Sequence, residues 1–342
     1  MIALGFLAGS AALAFSLVLT PLVRRLCLRL HLYDLPGPLK IHSQPVPRLG
    51  GIAIAAAIAA GVAQEKTPID APEGFVLLAI FLIWLTGLLD DLRGLPPAVR
   101  LLAQVFAAAL LWYGGWCLPS LHPAIFSLIA TCLLVVFFVN AFNFLDGADG
   151  LAAGMSLVIS LGYLALPPGR ESMLGIVLGS SLLGACAGFL PFNFPPAKIF
   201  MGDSGSTILG FTVAFLGLDS YRAGTNANFP GLFPFIVAAI PLLDAGLAIL
   251  RRLQNRGSPF VGDRFHFYDL LLARGWSPRR VVFVCCGITA LLAVTGRMSM
   301  ATNIPAAFLI CIICYGGLLA SGLKLGSLRP HSTPTVTRQA GI

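Results

Sequence analysis

Residues 124–150, AIFSLIATCLLVVFFVNAFNFLDGADG, decide what kind of fold this chain adopts. The part over 124–142 is almost wholly apolar, and it approaches the length of about 20 residues that a helix needs to cross the hydrocarbon core of a bilayer. Polar residues follow at once, and Asn143, Asp146 and Asp149 recur at a spacing of three, which places them on one face of a helix end. The stretch therefore predicts a membrane-spanning helix with carboxylates and an amide gathered at its end.

The rest of the chain repeats this composition. Of its 342 residues, 57% are hydrophobic and 11% are charged, whereas soluble domains carry about 25% charged residues. None of the strong apolar runs shows the alternation of barrel strands. We therefore predict an all-α polytopic membrane protein, a bundle of about 10–11 transmembrane helices. The candidate spans lie near 3–23, 49–64, 74–89, 101–117, 124–142, 151–167, 173–191, 205–219, 231–250, 281–296 and 304–321, of which the second and the eighth are short.

Residues 1–326 are predicted to form one transmembrane domain, followed by a polar, disordered tail over 327–342. Positive charge indicates which loops face the cytoplasm, because Lys and Arg accumulate there. If segment 24–48 is cytoplasmic and the spans alternate, the outer segments hold only Lys66, Arg170, Arg222 and Arg297 of the 22 Lys and Arg residues. This predicts an N-terminus outside and a C-terminus inside. The net charge of +8 is then a topology signal that requires no nucleic-acid partner.

Many aspartates fall on the same predicted cytoplasmic side, whereas the outer loops are short and chemically bland. These aspartates are Asp34, Asp90, Asp91, Asp146, Asp149, Asp203, Asp263 and Asp269. Solvated loop carboxylates would be scattered over both faces. Catalytic loops gathered at one end of a helical bundle produce such a pattern, so we predict a cytoplasmic active-site cleft.

Three acidic motifs suit metal and phosphate chemistry. Asp90 and Asp91 sit at the end of an apolar span, where charge is costly unless it is paired or ligated, and adjacent carboxylates suit Mg²⁺ binding or proton transfer. The motif from Asn143 to Gly150 offers oxygen ligands and glycine turns for a hard cation or a nucleotide. Asp203 opens the following helix, a position suited to anions and their metal.

Two further motifs are basic or aromatic. Lys40, His42 and Arg48 offer phosphate-binding groups in the first loop, for which an ordinary positive-inside loop is the alternative. Arg264 and His266 alternate with aromatic residues in the most basic loop, and arginine suits diphosphate recognition.

Together the motifs PRLGG, GLLDD, NAFNFLDGADGLA, the stretch from Asn193 through FMGDSGS, and DRFHFYDLLLARGWS make the sequence similar to the polyprenyl-phosphate N-acetylhexosamine-1-phosphate transferases. The resemblance covers most of the chain, from residue 34 to residue 280. It implies a bacterial plasma-membrane enzyme that transfers N-acetylhexosamine 1-phosphate from a UDP-N-acetylhexosamine to undecaprenyl phosphate and releases UMP. It also implies Mg²⁺ as cofactor, with Mn²⁺ as the alternative, and a homodimer as the oligomer.

The resemblance assigns roles to individual residues. Asp90 and Asp91 match an acidic pair in which either member is the candidate general base. Asn143 and Asp203 match the metal ligands. Asp149 and Phe200 match positions that contact uracil, Phe200 by stacking, and Asn193 matches a polar position that lines the same cleft. Asp146 is predicted to bind the nucleotide with them. Arg100, Arg264 and His266 match phosphate-binding positions, and Lys40 and Arg48 join them as phosphate-binding candidates from the basic first loop.

The chain departs from many bacterial relatives at Tyr268 and Asp269, where they carry two further histidines. A tyrosine there resembles the branch that initiates O-antigen, part of the lipopolysaccharide, and some of that branch use deoxy-sugars such as N-acetylfucosamine or N-acetylquinovosamine. The sugar is therefore expected to be N-acetylglucosamine or such a deoxy-sugar. Direct displacement and a double displacement through an aspartyl phosphate both stay open. The rival function, a multi-spanning transporter or lipid flippase, would place polar residues near the membrane midplane.

Overall fold

The computed structural model describes residues 1–37, 44–65, 68–118, 123–166, 171–222, 232–255, 258 and 262–328. Within these ranges the only strands are Tyr33–Asp34 (β1) and Val46–Pro47 (β2), which pair antiparallel with Asp34 opposite Val46. The helices are Ile2–Leu30 (α1), Gly50–Val62 (α2), Ala71–Arg93 (α3), Pro97–Tyr113 (α4), Ala124–Leu145 (α5), Leu151–Leu164 (α6), Met173–Asn193 (α7), Gly202–Arg222 (α8), Phe233–Val237 (α9), Ala239–Gln254 (α10), Phe267–Leu272 (α11), Pro278–Ser299 (α12) and Ile304–Leu325 (α13).

The prediction of an all-α polytopic membrane protein is confirmed. In the part of the chain that the structure describes, six helices, α1, α3, α5, α7, α12 and α13, are long and apolar enough to cross a membrane. Every predicted run contains a helix, although the ninth is divided into α9 and α10. Helix α2 has 13 residues and is about 20 Å long, shorter than a hydrocarbon core of about 30 Å. The number of complete spans therefore stays a prediction. The tail from residue 329 onward lies outside the described residues.

Helix α8 lies at the centre of the bundle. Every residue from Ser204 to Tyr221 is buried, and α2, α3, α5, α6 and α7 pack around the helix. Its glycine, serine and threonine residues let neighbouring backbones approach closely, as is common between helices in membranes. The outer helices α1 and α13 instead expose large apolar side chains, as lipid-facing helices do.

Two glycines bring the end of α3 against the start of α8. A Cβ on Gly87 would lie 2.7 Å from the Asp203 carbonyl oxygen and 2.7 Å from Ser204 Cα, so only glycine fits between these backbones. Gly202 has a φ of 71°, in the left-handed region that favours glycine. The GLLDD and FMGDSGS motifs, distant in sequence, are therefore in direct contact.

Backbone hydrogen bonds join the first loop to the same place. Phe200 N donates a hydrogen bond to Pro47 O at 2.8 Å. In return, Gly50 N donates to Phe200 O at 2.9 Å, and Gly51 N donates to Met201 O at 2.8 Å. The PRLGG motif thus runs beside the segment that leads into α8.

A buried carboxylate closes the opposite end of α8. Asp219 is wholly buried and accepts hydrogen bonds from Trp116 Nε1 at 2.9 Å, from Ser172 N at 2.9 Å and from the Tyr163 hydroxyl. At 1.5 Å per residue it lies about 24 Å along the helix from Asp203. This arrangement ties the end of α8 to α6, to the start of α7 and to the segment after α4.

Candidate active site

Asp91 caps the start of α8 from a neighbouring helix. Its two carboxylate oxygens accept hydrogen bonds from Asp203 N at 2.8 Å and from Ser204 N at 3.0 Å. The Ser204 hydroxyl donates a third at 2.6 Å. A carboxylate in this position satisfies unpaired helix N–H groups and complements the helix dipole. Asp91 therefore fixes where Asp203 stands.

Asp90, the neighbour of Asp91 on α3, faces Arg100 instead of the start of α8. The Arg100 guanidinium NH1 lies 2.8 Å from Asp90 Oδ2 and 3.0 Å from Asp203 Oδ2, so one arginine joins two predicted site carboxylates. Leu95 N also donates to Asp90. The structure brings together the predicted acidic pair, the predicted metal ligand Asp203 and the predicted phosphate ligand Arg100.

A small cavity opens beside this group. Arg100, Asp203 and Asn143 line it together with Gln104 and Asn140. The Asn140 amide donates to Gln104 Oε1 at 2.7 Å, which holds both polar side chains in place on α4 and α5. Both predicted metal ligands, on α8 and at the end of α5, thus face one space.

The donor set fits Mg²⁺. The described residues contain no group of three or more His, Cys, Asp or Glu side chains placed to hold a metal ion. Mg²⁺ is commonly held by one or two carboxylates together with waters and substrate phosphates rather than by an all-protein cage. Asn143 and Asp203 supply such a partial set. Arg100, lying between two carboxylates, already marks the position as one that attracts positive charge.

The turn between α5 and α6 carries two more carboxylates. Burial, together with the charges of Asp203, Asp91 and Asp149, raises the pKa of Asp146 well above its ordinary value. The Asp149 carboxylate accepts a hydrogen bond from Ala197 N at 2.9 Å. The surplus of carboxylates in this cleft is a second reason to expect a cation there.

Asn193 links this turn to the segment before α8. Its side-chain oxygen accepts a hydrogen bond from Gly150 N at 3.0 Å, and its side-chain nitrogen donates to Ile199 O at 3.0 Å. The side chain is 2% exposed, so its observed role is to hold the turn and the segment before α8 together. Direct nucleotide contact by Asn193 stays a prediction.

A second, larger cavity of about 500 Å³ lies on the other side of the turn. Asp149 and Phe200, two of the predicted nucleotide-binding residues, both line it, with Gln44, Ser277 and Arg279. Arg279 Nε donates to Pro195 O at 2.9 Å, which holds the guanidinium beside the cavity. Phe200 and Asp203 are three residues apart, so this cavity and the acidic cleft are neighbours along the chain.

The first basic loop is only partly described. Arg48 is half-buried, and its positive charge acts on the Asp91 carboxylate. Lys40 and His42 lie outside the described residues, so their predicted phosphate contacts stay predictions.

The DRFHFYD motif forms a buried network beneath the acidic turn. His266 Nδ1 lies 2.7 Å from Asp244 Oδ2, and its Nε2 lies 3.8 Å from Asp263 Oδ1. Burial opposes protonation of His266, but these carboxylates outweigh it, and the pKa of His266 is raised above its ordinary value. Arg264 is more exposed, with its Nε 3.7 Å from Asp269 Oδ1. Phosphate binding by His266 and Arg264 stays a prediction, with His266 buried between carboxylates.

Two residues in these contacts are absent from the sequence-based assignments. Asp244 is a carboxylate inside an apolar run, which by itself signals a functional or paired site in a membrane helix. Arg279 is one of several arginines in a basic loop, and nothing in its spacing separates it from Arg280. Only the fold shows that Arg279 reaches the cavity of Asp149 and Phe200.

Fold and site together define an all-α polytopic membrane protein with an acidic, arginine-containing cleft at one end of its bundle. Residues 74–221 match the model of glycosyl transferase family 4. A Bacillus subtilis (strain 168) protein named probable undecaprenyl-phosphate N-acetylglucosaminyl 1-phosphate transferase is 33% identical over 280 residues, which cover 78% of this chain and 77% of the relative.

Two further relatives extend the similarity. A Mycolicibacterium smegmatis decaprenyl-phosphate N-acetylglucosaminephosphotransferase is 34% identical over 315 residues, covering 81% of this chain and 78% of the relative. A Yersinia pestis undecaprenyl-phosphate alpha-N-acetylglucosaminyl 1-phosphate transferase is 29% identical over 327 residues, covering 88% of each chain. The chain belongs to glycosyl transferase family 4.

Proposed function

We propose that the protein transfers an N-acetylhexosamine 1-phosphate from a UDP-sugar to undecaprenyl phosphate and releases UMP. The observation that carries this proposal is the meeting of Asp90, Arg100, Asp203 and Asn143 at one cleft, beside a cavity lined by Asp149 and Phe200. The relatives named for transfer of N-acetylglucosamine 1-phosphate to a polyprenyl phosphate support it. The site faces the cytoplasm of a bacterial plasma membrane, and the protein works as a homodimer.

Each of the two cavities holds a different part of the UDP-sugar donor. The uridine occupies the larger cavity, with the base against Phe200 and with Asp149 and Arg279 as polar partners. The diphosphate then extends past Asp203 into the acidic cleft, where Arg100 is already placed. A cavity of about 500 Å³ is large enough for a nucleotide, since ligand pockets commonly measure about 300–1,000 Å³.

The reaction is a direct displacement. An oxygen of the lipid phosphate attacks the β-phosphorus of the UDP-sugar, and the bond from that phosphorus to the oxygen bridging to UMP breaks. Phosphoryl transfer depends mainly on alignment and on neutralising charge. Arg100 and Arg264 supply positive charge from the protein. Asn143 and Asp203 would hold Mg²⁺, with Mn²⁺ as the alternative, and the ion would supply charge that neutralises the phosphates.

Asp90 is better placed than Asp91 to act as the base. Asp91 accepts three hydrogen bonds from the start of α8, whereas Asp90 faces Arg100 at the cleft. The second pKa of a phosphate monoester is about 6, so the lipid phosphate is already largely ionised at neutral pH. Asp90 therefore contributes more through the position of Arg100 than through proton transfer.

The sugar is N-acetylglucosamine or a deoxy-N-acetylhexosamine, and the product starts a lipid-linked cell-envelope polysaccharide. Tyr268 favours the deoxy-sugars and an O-antigen pathway, whereas the names of the relatives favour N-acetylglucosamine.

The test is UMP release by the purified protein with undecaprenyl phosphate, Mg²⁺ and a panel of UDP-N-acetylhexosamines. We expect release with at least one sugar and its loss in Asp203→Ala. A transporter would instead move labelled substrate across liposomes and release no UMP. A stable radiolabelled phospho-enzyme would contradict direct displacement.

A further inference from the structure

Asp244 on α10 uses both carboxylate oxygens to hold the start of α11. One oxygen lies 2.7 Å from His266 Nδ1, and the other accepts a hydrogen bond from Phe267 N at 2.7 Å. Asp244 is 6% exposed and His266 is 4% exposed, so water does not compete for either contact. Hydrogen bonds to a charged group in such surroundings are among the stronger ones in proteins.

His266 is held on its other sides as well. Its ring is stacked on Tyr268, with ring centroids 5.6 Å apart and planes inclined by 6°. Phe144, which lies in the last turn of α5, contacts the ring at a centroid distance of 5.3 Å. Asp263 faces the remaining ring nitrogen and is itself paired with Arg251, at 2.7 Å between Arg251 NH2 and Asp263 Oδ1.

Tyr268 connects His266 to the acidic turn between α5 and α6. Its hydroxyl donates to Phe144 O at 3.2 Å. The same hydroxyl fills the space above Gly147, where an added Cβ would overlap it. Asp146 and Asp149 flank Gly147, so Tyr268 supports the backbone that carries both carboxylates.

We propose that Asp244 is a positioning residue of the active site, which acts through His266 and Tyr268 to hold the turn that carries Asp146 and Asp149. In this arrangement His266 supports the site from within and does not itself grip the diphosphate. The proposal rests on the function proposed above, because the turn is assigned to the nucleotide of the donor.

The kinetic test is a comparison of Michaelis constants. Asp244→Asn keeps the size of the side chain but loses the charge that faces His266, and Tyr268→Phe removes only the hydroxyl. We expect each to raise the KM for the UDP-sugar, by about tenfold for Asp244→Asn and less for Tyr268→Phe. The KM for undecaprenyl phosphate should stay within about twofold. Asp219→Asn is the matched control, a buried carboxylate at the far end of α8 whose loss should change neither KM.

The double variant tests whether both residues act along one route. If they do, Asp244→Asn with Tyr268→Phe should raise the KM for the UDP-sugar little more than Asp244→Asn does alone. Independent effects that multiply would overturn the proposal. Unchanged KM values for the donor in both single variants would overturn it as well.

Hydrogen exchange of the full-length protein gives a readout that does not depend on turnover. Amides in residues 144–150 should exchange faster in Asp244→Asn and in Tyr268→Phe than in wild type or in Asp219→Asn. Unchanged exchange there would overturn the positioning role. A wild-type protein that releases no UMP with any UDP-sugar would overturn the proposed function, while the exchange result would still decide the role of Asp244.

Discussion

At the scale of single residues, two neighbouring carboxylates do different work because they sit on different sides of α3. Asp91 accepts hydrogen bonds from the first turn of α8, and Asp90 faces Arg100 at the cleft. The sequence predicts the adjacent pair as a candidate functional site, and the structure places Asp90 at the cleft. The sequence does not predict which of the two aspartates caps α8 and which faces the cleft, because Asp203, the partner of Asp91, lies 112 residues away in the chain.

This division predicts different losses of stability. Asp91→Ala should lower the free energy of unfolding by about 1–2 kcal/mol, because it removes a helix cap. Asp90→Ala should cost clearly less, although both variants should lose activity. Thermal unfolding in detergent followed by intrinsic fluorescence measures the difference. An Asp90 variant that melts lower than the Asp91 variant would contradict the assignment.

Arg279 and Arg280 provide a second test at this scale. Arg279 lines the cavity of Asp149 and Phe200, whereas the guanidinium of Arg280 lies 4.1 Å from the centroid of the Trp276 ring. Arg279→Gln should weaken UMP binding by about tenfold, as loss of a charged hydrogen-bonding partner does. Arg280→Gln should leave it unchanged. Calorimetric titration with UMP distinguishes the two, and equal effects would place the nucleotide elsewhere.

At the scale of elements, the site depends on how closely α3 approaches α8. The apolar runs predict both helices, but the contact between them becomes visible only when the space around Gly87 is known. The glycine of GLLDD, Gly87, has no reactive side chain. It matters because the absence of a Cβ leaves room for the backbone of Asp203.

Gly87→Ala should therefore separate the two helices and lower kcat at least about tenfold, since displacements of about 1 Å in a site cost up to about 100-fold. Gly74→Ala is the matched control on the same helix, because a Cβ there meets nothing within 4 Å. UMP release by both variants, compared at equal amounts of folded protein, checks this. Equal activity in the two would show that the close approach is dispensable.

The tie between α10 and α11 predicts a pH dependence of stability. The pKa of His266 is raised in the folded protein, so the stabilisation from its protonated form is complete below the unfolded-state pKa of about 6.5. It declines as the pH rises through the folded-state pKa. Wild type should thus melt at a higher temperature than His266→Gln, and the difference between the two melting temperatures should be larger near pH 6 than near pH 9. A difference that grows with pH would contradict this account.

At the scale of the whole molecule, the chain is a bundle built around α8, with the predicted metal ligand Asp203 at one end and the buried carboxylate Asp219 near the other. Asp203 lies at a cleft lined by polar side chains, whereas Asp219 is wholly buried among neutral donors. Composition and apolar runs were sufficient to predict the class of fold. The motifs predict several of the side chains that meet at the cleft. Asp244, beneath the acidic turn, and Arg279, at the second cavity, reach their positions through contacts between distant segments, which no spacing reveals.

The most direct test of the central claim follows two labels from one donor. Purified protein is given undecaprenyl phosphate and a UDP-N-acetylhexosamine labelled in the sugar and in the β-phosphate. We predict that both labels reach the lipid in equal amounts and that the nucleotide product is unlabelled UMP. Transfer of the sugar label alone, with the β-phosphate label left on UDP, would contradict the claim that the protein transfers a sugar phosphate.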